Sequence, residues 1–217
     1  MFTLSEENYL KAIFHLEMMS GTGISTNAIA SKLETKASSV TDMVKKLAEK
    51  QVLVYKKYQG VSLTKSGKTT AARIVRKHRL WEVFLVEKLN FSWDEVHDVA
   101  EQLEHIKSPK LTRELDAFLG FPKTDPHGDP IPDHEGRFDS VEKRLLSSLR
   151  ENEVGVCVGV DDSSSNFLQY LDKNGISLGE KIEVLSIESF DGSLSIKVAG
   201  KVLSISNKIA TNIYIQS

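Results

Sequence analysis

Cysteine, long apolar runs and a basic leader are scarce or missing in this 217-residue sequence. The single cysteine, Cys157, excludes an intrachain disulfide and is typical of proteins in a reducing compartment. No apolar run approaches the roughly 20 residues that a membrane-spanning helix needs. The opening residues are acidic where a signal peptide carries Lys or Arg. We therefore expect a cytoplasmic protein that has no membrane partner.

A strong excess of one charge is also missing, since the formal net charge is −2. The charge is nevertheless uneven along the chain. Residues 1–72 hold ten basic and six acidic residues, residues 73–140 hold ten and fourteen, and residues 141–217 hold eight and ten. Five of the six histidines fall between His78 and His134. This pattern favours a polyanion-binding head followed by a cation-binding body.

Apolar spacing and turn signals divide the sequence into three predicted domains. Residues 1–72 show the order helix, short helix, helix and hairpin, which is typical of a winged helix-turn-helix, and Ser5 is the expected cap of the first helix. Residues 73–140 are predicted to be helical and to end in a Pro-rich linker. Residues 141–217 alternate like strands after a short predicted helix at 141–149, and a small SH3-like β-barrel fits them. The predicted fold class is mainly α with a β C-terminal part.

The third predicted helix of the head, KASSVTDMVKKLAEK, presents small polar and basic side chains outward. Ser38 is its expected N-cap; small hydroxyls near a helix start can approach phosphates and base edges, and lysines neutralise phosphate charge. A plain helix bundle with a solvated basic face is the alternative. The order of elements and the basic wing favour double-stranded DNA as the partner. The candidate contacts are Lys36, Ser38, Ser39, Thr41, Asp42, Lys45 and Lys46 in the helix, and Lys56 and Lys57 in the wing.

The segment HDVAEQLEH places four candidate metal ligands on one predicted helix over residues 92–106. Steps of four, three and one residues bring them within an arc of about 100°. These four are His97, Glu101, Glu104 and His105. In the preceding predicted helix, His78 and Glu82 are four residues apart and share a face. Surface ion pairs are the alternative for either group alone, whereas both groups together favour a divalent metal site, with ligands that suit Mn, Fe, Co, Ni and Zn.

Two other classes of protein remain open on the residues alone. A metalloenzyme also uses His and Glu clusters, but the sequence lacks a His-Glu-x-x-His motif and a paired nucleophile and base. A metal-independent winged-helix regulator that senses an organic ligand explains the head, but leaves the His and Glu pattern as coincidence. We therefore expect a metal-binding regulator rather than an enzyme.

Several segments together resemble the diphtheria-toxin-repressor and manganese-transport-regulator family of metal-dependent transcription factors. They follow one another as SEENYLKAIFHLE, SSVTDMVKKL, LTKSGK, RKHRLWE, VHDVAEQLEH and DPHGDPIP. The resemblance implies a winged-helix head, a helical metal-binding and dimerisation domain, and an SH3-like tail of the FeoA kind. It also implies a homodimer whose binding to operator DNA is activated by Mn(II) or Fe(II), usually to repress metal uptake genes.

The same resemblance implies the metal ligands. One site matches Asn8, His78, Glu101, Glu104 and His105. The ancillary site of iron-type members matches His78, Glu82 and His97. The corresponding site of manganese-type members that carry a barrel matches Asp125, His127 and either Asp161 or Asp162.

This sequence departs from the family pattern at four positions. Asn8 offers an amide oxygen rather than a carboxylate, and Lys11 replaces the Glu of the short manganese regulators, so their two-metal centre is not copied intact. Ser163 and Asn166 stand where iron-type barrels supply Glu and Gln. Some iron-type relatives carry Cys at the position of Glu101. Because a carboxylate is a harder ligand than a thiolate, we expect Mn(II) to be favoured here over Fe(II) and softer ions.

Overall fold

Three helices and a hairpin form the head of the chain in the computed structural model, which describes residues 2–56, 59–139, 142–161 and 163–216. Helix α1 spans Leu4–Ser20, α2 spans Thr26–Lys32 and α3 spans Ala37–Glu49. Strand β1 (Leu53–Lys56) pairs antiparallel with β2 (Gly60–Leu63). This order confirms the predicted winged helix-turn-helix.

The caps of α1 and α3 differ from those expected. Thr3 rather than Ser5 caps α1, because the Thr3 hydroxyl accepts the Glu6 N–H and the Glu6 carboxylate accepts the Thr3 N–H. This reciprocal pair is a capping box, which needs the three-residue spacing that Thr3 and Glu6 have. Helix α3 begins directly after Lys36, so Ser38 lies within its first turn and is not the N-cap.

The head is held together by apolar side chains that the helical spacing points inward. Leu10 and Ile13 of α1, Ile29 of α2 and Val44 and Leu47 of α3 are all fully buried in one core. Burial of a residue of this size stabilises a fold by roughly 1.5–3 kcal/mol relative to exposure. The core therefore fixes α3 against α1 and leaves the polar face of α3 outside.

Three further helices follow the head. Helix α4 spans Lys65–Leu89, α5 spans Val96–Leu103 and α6 spans Pro109–Phe118. The helix predicted over residues 92–106 is therefore shorter at both ends. Trp93–Glu95 form a turn before it, and Glu104 and His105 lie in another turn after it. The last two predicted ligands of HDVAEQLEH thus leave the helix that carries the first two.

The chain divides into two compact units. Unit 1 contains Met1–Trp81, Glu101–Glu114 and Ile131–Phe138. Unit 2 contains Glu82–Ala100, Leu115–Pro130 and Asp139–Ser217. This division into two units does not test the three domain boundaries inferred from the sequence, which remain a prediction.

Unit 2 is built on an antiparallel sheet. Its strands are β3 (Arg144–Leu145), β4 (Val154–Val160), β5 (Lys181–Ile187), β6 (Leu194–Val198), β7 (Lys201–Ile205) and β8 (Ile213–Gln216). They lie in the order β3-β8-β4-β5-β6-β7, and α7 (Ser165–Lys173) and α8 (Asn207–Ala210) connect them. The core includes the fully buried Leu168, Ile182 and Ile196, and Cys157 is 1% exposed.

One predicted element of unit 2 is wrong. Over the described residues 142–149 the expected helix at 141–149 is replaced by β3 and a 3₁₀ turn at Leu146–Ser148, because Arg144 and Leu145 pair with β8. Val141 lies outside the described residues. Cross-strand pairing here outweighs the local helical pattern. The predicted helix in SSSNFLQYLDKNG is present as α7. The fold class expected from the sequence is confirmed, and none of the helices in the described ranges is long and apolar enough to span a membrane.

Candidate metal centres and DNA-binding surface

Glu104 is the centre of a polar cluster inside unit 1. Its side chain is fully buried, and its Oε2 accepts hydrogen bonds from His78 Nδ1 at 2.6 Å and from Lys11 Nζ at 2.8 Å. Burial by itself raises the pKa of Glu104, but the hydrogen bond from His78 and the charge of Lys11 outweigh it and hold the pKa below its ordinary value. The carboxylate is therefore ionised at neutral pH.

His105 faces the other oxygen of the same carboxylate. Its Nδ1 lies 2.7 Å from Glu7 Oε2, and because an ionised carboxylate only accepts, Nδ1 carries the proton. In the neutral form of the ring, which is the form that binds a metal, the lone pair is then on Nε2, which lies 3.8 Å from Glu104 Oε1. This distance is too long for a hydrogen bond but suits two donor atoms of one metal ion.

Three buried side-chain oxygens of unit 1 lack hydrogen-bond partners among the described residues, and one of them, Glu17 Oε2, has the Lys68 ammonium at 3.4 Å. The other two are Glu104 Oε1 and Asn8 Oδ1, which lies next to Glu7 on α1. A buried acceptor without a partner is costly, so natural proteins supply one, commonly an ion or ordered water. Carboxylate, amide and imidazole donors suit a divalent ion such as Mn(II) or Fe(II). The residues present therefore fit the metal that the sequence predicts.

Glu101 and Lys11 complete what we call the Glu104 cluster, defined as Glu7, Lys11, His78, Glu101, Glu104 and His105. Glu101 Oε1 lies 3.7 Å from Lys11 Nζ, and its side chain is 40% exposed. It is thus the ligand candidate of the cluster with the most access to solvent. A divalent ion that binds here can approach from its side.

Sequence reasoning missed Glu7 as a member of this cluster. Acidic residues in the first turn of a helix commonly serve the helix dipole, and this role masked the burial of Glu7. The spacing of Glu7 and Lys11, which lie one helical turn apart on the face that also carries the core residues, was the signal that could have revealed it.

A second group of ligands lies in unit 2. Donor atoms of Glu82, Asp125 and His127 all lie within 4.8 Å of one another, and all three residues are buried. His127 Nε2 donates to the Trp93 carbonyl at 2.8 Å, so its lone pair is on Nδ1. This Nδ1 lies 3.9 Å from both Glu82 Oε2 and Asp125 Oδ1. We call Glu82, His97, Asp125 and His127 the Glu82 cluster.

The loop that carries Asp125 and His127 is fixed by its own backbone. Asp125 Oδ1 accepts the N–H groups of His127 and Asp129 at 2.9 and 3.0 Å. The Val160 N–H donates to the His127 carbonyl at 2.9 Å, which attaches the loop to β4. Gly128 has φ +83°, and a Cβ there would lie 2.0 Å from the Val158 carbonyl oxygen. Only glycine allows this approach without rearrangement.

The remaining predicted ligands lie at the edge of these groups. His97, which is half-exposed, places Nδ1 3.5 Å from Glu82 Oε1. HDVAEQLEH therefore divides its residues between the two clusters rather than forming one site. Asp161 is exposed and accepts the Tyr214 hydroxyl at 2.9 Å, and Asp162 lies outside the described residues.

The polar face of α3 carries most of the predicted DNA contacts. Thr41 is half-buried and donates to the Ala37 carbonyl at 3.0 Å. In the wing, Lys56 is exposed at the end of β1, and Lys57 lies outside the residues that the structure describes. The predicted contacts that are exposed on α3 and its cap are Lys36, Ser38, Ser39, Asp42, Lys45 and Lys46.

Glu6 attaches α3 to α1 through two lysines. It is fully buried, with Lys50 Nζ at 2.7 Å and Lys46 Nζ at 3.0 Å from its Oε1. Burial by itself raises the pKa of Glu6, but hydrogen bonds from Lys50, from the Thr3 backbone and from Lys46 lower it to about 2. The Lys46 side chain is 52% exposed, so its ammonium lies between Glu6 and solvent.

Family models match three successive parts of the chain. The N-terminal DNA-binding domain of the iron-dependent repressors matches residues 1–61, and their metal-binding and dimerisation domain matches residues 64–133. The FeoA domain matches residues 144–217.

Individual proteins are similar over different lengths. A manganese-dependent transcriptional repressor, solved in complex with manganese, has a TM-score of 0.88 and 36% identity over 98% of this chain and 99% of its own. The regulator MntR of Oceanobacillus iheyensis is 40% identical over 48% of this chain and 69% of its own length. The iron-dependent repressor IdeR of Mycobacterium leprae is 35% identical over 58% of this chain. The match spans about half of IdeR, 54% of its length.

Proposed function

Since this chain belongs to the iron-dependent repressor family, we propose that it is a transcriptional repressor whose binding to operator DNA is activated by Mn(II) or Fe(II). Its relatives include repressors that depend on iron and on manganese. We propose further that it acts in the cytoplasm as a homodimer, controls metal uptake genes and has no enzymatic activity.

The observation that carries the proposal is the orientation of two histidines. In each cluster one ring nitrogen is engaged by a fixed acceptor, Glu7 for His105 and the Trp93 carbonyl for His127. The other nitrogen then faces buried carboxylate oxygens at 3.8–3.9 Å. An outer acceptor that orients the ring in this way is the usual arrangement around metal-bound histidine.

The Glu104 cluster is proposed as the regulatory site. His105, Glu104 and Glu101 of this cluster, joined by Asn8 outside it, would hold the ion. His78 would position Glu104 or bind through its second nitrogen. A bound Mn(II) or Fe(II) supplies the positive charge that the unpartnered oxygens of Glu104 and Asn8 lack. The Glu82 cluster is proposed as an ancillary site, completed by Asp161 or Asp162 if the loop after β4 supplies a further carboxylate.

Helix α1 connects the regulatory site to the DNA-binding surface. Glu7 and Asn8 lie at the site, while the adjacent Glu6 holds Lys46 and Lys50 at the C-terminal half of α3. A change in the position of α1 therefore changes the position of α3. A ligand shifts this balance only as far as it binds one arrangement better than the other, so the site must differ between the two.

Manganese is the metal that we propose for the regulatory site. Its candidate ligands are carboxylates, an amide and imidazole, without a thiolate among the described members of the cluster. Oxygen-rich sites suit Mn(II), although affinity itself rises toward Zn(II) along the divalent series. Selectivity should therefore be visible in activation of DNA binding rather than in the tightness of metal binding.

Anaerobic fluorescence anisotropy tests the proposal, with a fluorescent duplex selected from a random-sequence pool in the presence of Mn(II). We expect Mn(II) to activate binding at least as well as Fe(II), while Zn(II) binds and activates poorly. Lys45→Ala should weaken binding to all duplexes and lower the salt dependence, whereas Lys110→Ala, an exposed lysine on α6, should change neither. Binding that is unchanged by EDTA and by every metal would contradict the proposal.

A further inference from the structure

Lys11 places a positive charge inside the proposed metal site. Its side chain is 13% exposed, and its Nζ lies 2.8 Å from Glu104 Oε2 and 3.7 Å from Glu101 Oε1. Lysine is rarely buried to this extent unless it is paired. Here it is paired with two of the carboxylates that the proposed function assigns to the metal.

The two oxygens of Glu104 are in different situations as a result. Oε2 already accepts from Lys11 and from His78, and Oε1 has no hydrogen-bond partner in the described part of the chain. One side of the carboxylate is therefore neutralised by the protein itself. The other side faces His105 Nε2 at 3.8 Å.

We propose that Lys11 is a tethered competitor of the metal, which lowers the affinity of the Glu104 cluster for a divalent ion. The inference rests on the proposed function and adds a residue that sets the metal concentration at which the protein responds. Two cations of like sign near one carboxylate repel each other, and the repulsion is strong in a partly buried site. Either the ion binds against this repulsion, or the flexible lysine stem moves its ammonium toward solvent.

A purely structural role for Lys11 predicts the opposite effect. If the ammonium only held Glu104 in a binding conformation, its loss would leave the carboxylate misplaced and metal binding would weaken. A competing ammonium, by contrast, leaves metal binding tighter when it is removed. The direction of the change in affinity thus separates the two roles.

Isothermal titration of the full metal-free chain with MnCl₂, without DNA, measures this direction. A His127→Ala background lets the Glu104 cluster dominate the titration. We expect Lys11→Met to bind Mn(II) about ten-fold more tightly, with Lys11→Gln changing in the same direction, because both remove the charge. Lys11→Arg keeps the charge and should stay within about two-fold of the parent.

Lys77→Met is the matched control. Lys77 lies in α4, and its ammonium is influenced by the charges of Glu7 and Glu104, but no ion pair joins it to a carboxylate in the described residues. Its replacement should change the affinity by less than about three-fold, since more distant charges interact more weakly. Circular dichroism before each titration verifies that the variants are folded.

The outcomes distinguish this inference from the proposed function. Equal or weaker Mn(II) binding by both folded Lys11→Met and Lys11→Gln, beside clear binding by the parent, would overturn the role of Lys11 alone. Absence of Mn(II) binding in the parent would overturn the regulatory site and, with it, the competition. Tighter binding by the two neutral variants and unchanged binding by Lys11→Arg would support the inference.

Discussion

The Glu104 cluster of unit 1 and the Glu82 cluster of unit 2 orient a histidine in the same way but differ in the charged side chains around it. Each fixes one nitrogen of a buried histidine and leaves the other nitrogen near carboxylate oxygens. In the Glu104 cluster a lysine already neutralises the central carboxylate. In the Glu82 cluster two buried carboxylates, those of Glu82 and Asp125, converge on the same nitrogen of His127.

This difference suggests that the two clusters bind metal ions with different affinities and have different roles. When a lysine already neutralises the carboxylates of a site, a metal ion adds less electrostatic stabilisation. Such a site binds the ion more weakly and can respond to changes in the metal concentration. We propose that the Glu82 cluster, whose two carboxylates lie near one histidine nitrogen, is the tighter site and contributes to stability. Because Glu6 and Glu7 lie on one helix, we propose the Glu104 cluster for the regulatory role.

The largest effect should follow from Glu104→Gln. Removing the central charge should weaken Mn(II) binding at this cluster by about 100-fold or more and abolish the activation of DNA binding. Titration with MnCl₂ and anisotropy with the selected duplex measure the two effects. Glu114→Gln, an exposed glutamate on α6, is the matched control and should behave as the parent does. Full activation of Glu104→Gln would assign the switch to another site.

His127→Ala should separate the clusters. It removes the nitrogen that faces Glu82 and Asp125, so the ion of the Glu82 cluster should bind about 100-fold more weakly. Activation of DNA binding should be reduced but retained, since the Glu104 cluster is intact. Titration with MnCl₂ should then detect one fewer class of tight sites in the variant than in the parent. If activation disappears as completely as in Glu104→Gln, the two clusters are not distinct in role.

Gly128→Ala should destabilise unit 2 by about 2 kcal/mol, because the new Cβ meets the Val158 carbonyl and φ is positive. Gly179→Ala provides the comparison. Gly179 has φ +87° and no atom within 4 Å of an added Cβ, so backbone strain alone should cost about 1 kcal/mol. Urea unfolding of the metal-free proteins measures both. Equal destabilisation by the two substitutions would show that the close approach of the loop to β4 does not contribute to stability.

Glu6→Gln should have the smallest effect and lower the free energy of unfolding by about 1 kcal/mol at neutral pH. The loss is small because Lys46 and Lys50 remain solvated after their partner loses its charge. The stabilisation by Glu6 belongs to its ionised form, whose pKa is lowered to about 2 in the folded protein. The difference between parent and variant should therefore be full above pH 4.5 and decline as the pH falls below it. If the difference in the free energy of unfolding instead increases as the pH falls, the ion pairs of Glu6 do not stabilise the protein.

Much of the fold follows from local patterns, whereas the sites depend on contacts between distant segments. The head was predictable because Leu10, Ile13 and Val44 recur at helical spacing. The strand at Arg144 was not, because its partner in β8 lies near the C-terminal end of the chain. Local spacing predicted one helix for His97, Glu101, Glu104 and His105, but Glu104 and His105 lie in the turn after α5. His97 and Glu101 remain on α5 and have different partners, Glu82 for His97 and Lys11 for Glu101.

The most direct test of the account is the reciprocal coupling between metal and DNA. The Mn(II) affinity of the parent is measured by titration with and without a saturating amount of the selected duplex, and the same is done for Glu104→Gln. We expect DNA to tighten Mn(II) binding by the same factor by which Mn(II) tightens DNA binding, because the two effects are thermodynamically linked. The coupling should vanish in Glu104→Gln. Equal Mn(II) affinity of the parent with and without DNA would contradict the account.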